Sequence, residues 1–232
     1  MTPSRRLPGD PVSLGAAEAI QAANDLLATI GDEPVVAWWH VDTPTLVLGR
    51  GERRHQDPAD TSVPVVRRGS GGGPVLWGPH LLAFDVIVPR SHPLHVPDIT
   101  AAYEWLGEAI AEGLRDVDLP ARTVPAAEAH AANQPDLAAV SCFGGLSPWE
   151  VVVDGRKIVG LSQIRRRNGL ILQVGLLARP EDPPLWRVLG EDPAMGRRLA
   201  DHVTSLADMG VADTDAVRAA VDRRVTEALS AA

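Results

Sequence analysis

WEVVVDGRKIVGLSQIRRRNGLILQVGLL, residues 149–177, decides the fold. Three β-rich runs, 149–153, 156–163 and 169–177, are separated by Asp154-Gly155 and Asn168-Gly169. Both dipeptides favour the left-handed backbone of two-residue hairpin turns, so the segment predicts a three-stranded antiparallel meander. Its middle strand carries Lys157, the chain's single lysine against 21 arginines. Surface charge is thus left to arginine, and a lone lysine invites a lysine-specific role, because a compact ammonium on a flexible stem reaches a carbonyl or phosphate where a planar guanidinium fits poorly.

Further strands are expected on the N-terminal side at 34–41, 44–49, 63–68 and 81–88, each bounded by Pro, Gly or Asp. A helix is expected from Ser13 to Ile30, with Ser13 as N-cap and Gly31 as terminator, since Leu14, Ala17, Ile20, Asn24 and Leu27 fall at helical spacing. A second is expected over 100–117, with Tyr103, Leu106, Ile110, Leu114 and Val117 on the face that packs on the sheet. Residues 118–148 show no sustained period and read as a long connection, and 183–232 reads as helical. Residues 1–12 read as a loose arm and 13–232 as a single domain.

A net charge of −8 offers no general basic surface for nucleic acid, and no apolar run approaches membrane-spanning length. One cysteine, Cys142, fits a reducing compartment, and the expected location is the cytoplasm. The seven histidines are scattered and no metal site is assigned; the six tryptophans read as core or pocket wall. The stretch RRGSGGGPV, 67–75, places backbone N–H groups where a carboxylate or phosphate could approach, yet it is neither a Walker loop nor a Rossmann fingerprint. Arg165-Arg166-Arg167 reads as a solvated hairpin tip or as a place for an acidic partner domain.

RRGSGGGPV at 67–75 paired with VDGRKIVGLSQ at 153–163 resembles the two-part signature of the lipoate-protein ligase and octanoyltransferase family. Residues 99–114 and 201–210 are also similar to family segments, so the likeness runs over roughly 13–225. It implies an α+β fold, a mixed and largely antiparallel sheet flanked by helices, shared with biotin ligases and class II synthetase cores, without the accessory C-terminal domain of many ligases. SCFGGLSPWEVVVDGRKIVG, 141–160, resembles the cysteine-dependent branch. The resemblance implies Cys142 as nucleophile and Lys157 holding the acyl carbonyl and favouring the thiolate. Gly71, Gly72, Gly73 and Val75 would line an acyl tunnel opposite Gly160 and Ser162, and Arg67, Arg68, Ser70 and Gly175 complete the implied binding set.

Two departures stand out: Trp77-Gly78 replaces a common His-Asp, and Val174-Gly175 a common His-Gly. In this respect 160–174 looks closer to the amidotransferase subgroup, which moves acyl groups from H protein to lipoyl domains. Three readings follow: a cofactor-independent octanoyl or lipoyl transferase between carrier proteins (H protein or acyl carrier protein to lipoyl domain); a ligase using ATP and Mg with Lys157 on an acyl-adenylate; and a non-catalytic acyl or adenylate binder.

Overall fold

The meander and the strands before it form two sheets in the computed structural model, which describes residues 11–132 and 134–232. In chain order the strands are β1 (Val12–Ser13), β2 (Val35–His40), β3 (Thr45–Leu48), β4 (Val65–Arg67), β5 (Val75–Trp77), β6 (Leu81–Pro89), β7 (Ala121–Thr123), β8 (Val151–Val153), β9 (Arg156–Arg166) and β10 (Gly169–Leu177). The main sheet runs β1-β2-β6-β10-β9-β8-β7, antiparallel throughout except for the parallel β1–β2 pair. A smaller mixed sheet runs β4-β3-β5. At the first tight turn Asp154 and Gly155 hold φ of 50° and 77°, the left-handed pair such a hairpin requires.

The helices are α1 (Ala16–Ala28), α2 (Glu104–Arg115), α3 (Ala126–Ala131), α4 (Pro135–Val140), α5 (Leu185–Val188), α6 (Pro193–His202) and α7 (Thr214–Ala231). Strand alternation splits the core into two layers. Val36, Trp38, Phe84, Val86 and Val174 pack under α2 and α7; Ala37, Trp39, Ala83, Ile87 and Ile171 pack under α1. Full burial of a side chain such as Phe84 contributes about 1.5–3 kcal/mol. Trp38 stacks on Phe84 at 4.3 Å, while its sequence neighbour Trp39 points to the opposite layer.

Several expectations need correction. Ser13 does not cap α1: it pairs with His40 in β1, and Leu14 N donates to His40 O at 3.0 Å. The cap is Gly15, whose N–H donates to Glu18 Oε2 at 2.9 Å. Residues 1–10 of the expected arm lie outside the described residues, and Val12 of that arm is strand. The 118–148 segment is not one loop. It holds β7, α3, α4 and a 3-10 turn over Cys142–Gly144; helices six residues long are too short to display a period, though Pro125 and Pro135 sit where prolines begin helices. Among the described residues no helix is long and apolar enough to cross a membrane.

Candidate active site

The glycine loop leaves β4 and is held from inside by Arg68. Its Nη1 donates to Val47 O at 3.1 Å and its Nη2 to Gly71 O and Gly73 O, each at 2.9 Å. Burial pulls its pKa down, while the neighbouring Cys142 sulfur, as a thiolate, favours the charged guanidinium. Arg67 turns away, donating to Gly49 O at 3.1 Å and Glu52 O at 2.8 Å, so the two adjacent arginines serve different places. Gly72, at φ 93°, lies where a Cβ would come within 3.0 Å of Arg68 Nη2 and 3.3 Å of Cys142 Sγ. A side chain there would cover the thiol. A Cβ on Gly73 would collide with Ala138 O; bare backbone lets α4 close on the loop and Cys142 N donate to Pro74 O at 2.8 Å.

Cys142 opens the 3-10 turn after α4, with Ser141 Oγ accepting from Phe143 N at 3.2 Å. The turn is fastened from below by Lys157. Its Nζ donates to Cys142 O at 2.9 Å and Gly145 O at 2.8 Å, and lies 2.6 Å from Glu150 Oε2. Lys157 and Glu150 are each 1% exposed. Glu150 also accepts from Ser147 N at 2.7 Å and Leu161 N at 3.1 Å. Burial raises its pKa, against which the Lys157 charge and these donors act. Phe143 lies near 5.5 Å from the ammonium and packs over the paired glycines Gly160 and Gly175, where an added Cβ would come into contact with its ring.

Two cavities meet at Cys142. An apolar one, partly open to solvent, has a narrow interior of about 80 Å³. Its floor crosses the main sheet through Gly160, Gly175, Ala83 and Trp39, under a roof of Val47, Val75 and Trp77 from the small sheet and Ile20 from α1. The other, about 530 Å³, is a polar cleft lined by Ser70, Gly71, Gly72 and Gly73 and by Tyr103, Glu150 and Gln163, among others. Cys142, Leu161 and Ser162 line both. The three glycines therefore face the polar cleft; of the residues expected along an acyl tunnel, Val75, Gly160 and Ser162 line the apolar cavity, as do Gly175 and Arg68 from the wider implied binding set. Lys157 lines neither.

A buried polar chain joins the two spaces. Ser70 Oγ and Ser162 Oγ donate to Gln173 Oε1 at 2.6 and 3.3 Å, and Trp39 Nε1 donates to Asp85 Oδ2 at 2.7 Å. Burial pushes Asp85 up to about 7, moderated by hydrogen bonds from Trp39 and Gln173. Glu150, Phe143, Asp85 and Gln173 escaped the sequence reading. The last two carried a signal: each is the lone strongly polar residue in an apolar strand, LLAFDVIV or LILQVGLL. Trp77 and Val174 both line the apolar cavity, and Val174 also packs in the layer under α2 and α7. Among the described residues no group of three or more His, Cys, Asp or Glu is placed to hold a metal ion.

A glycine loop and a thiol thus stand at the junction of an apolar cavity and a polar cleft, on a mixed sheet flanked by helices. The chain belongs to the lipoyl protein ligase A/B catalytic domain family, whose model matches residues 16–228. It is similar to octanoyltransferase LipM of Kyrpidia tusciae, 29% identical over 208 residues covering 85% of this chain and 73% of that protein. It is also similar to octanoyltransferase LipM of an Exiguobacterium species, 38% identical over 151 residues covering 62% of this chain and 53% of that one. In fold it is similar to lipoate-protein ligase A bound with ATP, with a TM-score of 0.73 at 19% identity over 99% of this chain and 86% of the other. The fold also matches a chain from the structure of a bi-partite lipoate protein ligase and its E2 lipoyl domain from Thermoplasma acidophilum, with a TM-score of 0.72 at 20% identity over 99% and 85%.

Proposed function

We propose that this protein is an octanoyltransferase that moves an octanoyl or lipoyl group through a thioester on Cys142 to a lysine of a lipoyl domain. The observation that carries the reading is the place of Cys142, the one residue with a nucleophilic thiol and the link between an apolar cavity that suits an alkyl chain and a polar cleft open to a carrier. The likeness to octanoyltransferases LipM supports it. The thiolate attacks the carbonyl of the donor's acyl thioester; the tetrahedral oxyanion collapses, the C–S bond to the donor breaks, and the departing thiolate takes a proton. The acceptor lysine, as the neutral amine, then attacks the Cys142 thioester, forms the amide, releases a proton and returns the thiolate. Arg68, which anchors the glycine loop, sets a guanidinium close enough to the sulfur for their charges to interact.

Lys157 acts at one remove. Its N–H groups are taken by Cys142 O, Gly145 O and Glu150, so its part is to position the nucleophile's main chain rather than to hold the acyl carbonyl. No bond in this sequence requires ATP. Incubation with octanoyl-loaded carrier protein should leave an octanoyl adduct on Cys142, seen by mass spectrometry and absent in Cys142→Ala. Pyrophosphate release from ATP and octanoate that survives Cys142→Ala would overturn the reading in favour of a ligase.

A further inference from the structure

The chain carries a net charge of −8, yet the rim of its polar cleft is basic. Arg50 and Arg166 line the cleft and are exposed, and Arg167 follows at the exposed β9–β10 turn. Arg50 N donates to Ser70 O at 2.8 Å, and Arg166 Nη2 lies 3.4 Å from where a Cβ on Gly69 would stand, so the two arginines bracket the start of the glycine loop. Among the described residues none of the three pairs with a carboxylate; arginine ion pairs form at Arg54, Arg122, Arg198, Arg218, Arg223 and Arg224 instead.

A second feature shares this rim. Gln163 Nε2 donates to Ile99 O at 2.8 Å, and Arg165 Nη1 and Nη2 donate to Val96 O at 2.8 Å and Asp98 O at 3.2 Å. These bonds pin the loop that presents Ile99, 61% exposed against 40% for the other exposed large hydrophobics Val12 and Val65. A lone exposed isoleucine is ordinary. Here it stands on the cleft edge, beside the exposed Asp98 and with the arginines that lack a carboxylate partner, a mixture of apolar contact and predominantly positive charge that suits an acidic protein surface.

We infer that Arg50, Arg166, Arg167 and Ile99 dock the acidic face of the carrier domain that delivers the acyl group, with its acylated arm in the cleft beside Cys142. The partner's identity as an acyl carrier rests on the transferase reading above. Charge favours the place: on a chain of net charge −8, three exposed arginines grouped at the cleft mouth without a carboxylate partner make a locally positive rim that steers an acidic partner and sets its orientation.

The test compares octanoyl-loaded acyl carrier protein with octanoyl-N-acetylcysteamine, which has the thioester but no protein surface, as donors to Cys142. Arg167→Glu should lower kcat/KM for the carrier by roughly 5- to 20-fold at low ionic strength, mainly through KM, with the deficit shrinking as salt screens the contact. The small thioester should react within about 2-fold of wild type, and Arg197→Glu on α6 should leave both donors unaffected. Ile99→Ser should weaken the carrier reaction without changing its salt dependence. Equal losses on both donors, or no carrier loss in both Arg167→Glu and Arg50→Glu, overturns the inference. Anisotropy of a labelled carrier titrated with the same proteins reads docking without turnover. If wild type is acylated by neither donor yet binds the carrier, and Arg167→Glu weakens that binding, docking stands and the transferase reading fails; carrier binding that neither reversal weakens, or none at all, overturns docking.

Discussion

Replacing Lys157 by methionine separates a role in the scaffold from one on the substrate. The variant keeps most of the side-chain volume and removes the ammonium from a site where Lys157 and Glu150 are each 1% exposed. It strips Cys142 O and Gly145 O of their donor, at about 1–3 kcal/mol per buried acceptor left unmade. It also leaves Glu150 without its counter-charge, and breaking a buried pair costs about 3–5 kcal/mol. Ser147 N and Leu161 N still donate to that carboxyl, and burial already favours its protonation, so a net loss of about 4 kcal/mol is expected, a large share of the roughly 5–15 kcal/mol by which domains are stable. Urea denaturation at neutral pH measures it. Glu150→Gln should cost less, and the double variant should be less destabilised than the sum by about 2 kcal/mol or more. Iodoacetamide labelling of Cys142 should become slower or heterogeneous as its main chain is released. A Lys157→Met protein within about 1 kcal/mol of wild type, uncoupled from Glu150 but inactive in acyl transfer, would show that the ammonium works on the substrate and would refute the positioning role.

Gly73→Ala drives a Cβ into Ala138 O, so α4 must withdraw; about 2–3 kcal/mol of stability and most thiol reactivity should be lost, read by melting and by alkylation rate. Arg68→Met leaves Val47 O, Gly71 O and Gly73 O without their donor and should cost about 2–4 kcal/mol of stability, read by urea denaturation. Asp85, pushed up to about 7 by burial, holds its proton in the folded state while the unfolded carboxyl, near 4, has lost it. Its contribution is therefore fully present below about pH 4 and is lost as pH rises toward 7, by up to about 4 kcal/mol. Asp85→Asn should flatten melting temperature against pH over that window, leaving the slope of the same sign from Glu181, also pushed up to about 7 by burial; an unchanged profile would place the Asp85 carboxylate in a solvated setting.

The sequence alone determined the elements whose pattern is local. The Asp154-Gly155 turn and the alternating runs around it specify the meander, because turn chemistry and a period of two act over a few residues. The pairing of RRGSGGGPV with VDGRKIVGLSQ pointed to the family, Cys142 and Lys157 were legible as the chain's single cysteine and single lysine, and Arg68 as one member of the implied binding set. Only the tertiary structure decided what each touches. Adjacent Arg67 and Arg68 part company because strand alternation sends one to the 49–52 backbone and the other beneath the glycine loop. Ser13 reads as a helix cap until β2 offers its backbone a strand partner. Asp85 and Gln173 acquire meaning when β6 and β10 pair and set them side by side. Lys157, first noticed for its rarity, is spent on two carbonyls and a glutamate from residues 7 to 15 positions earlier in the chain. Sequence fixes which donors and acceptors exist; burial, which arises only when the elements pack, decides which of them must be paired inside and which remain free to meet a substrate.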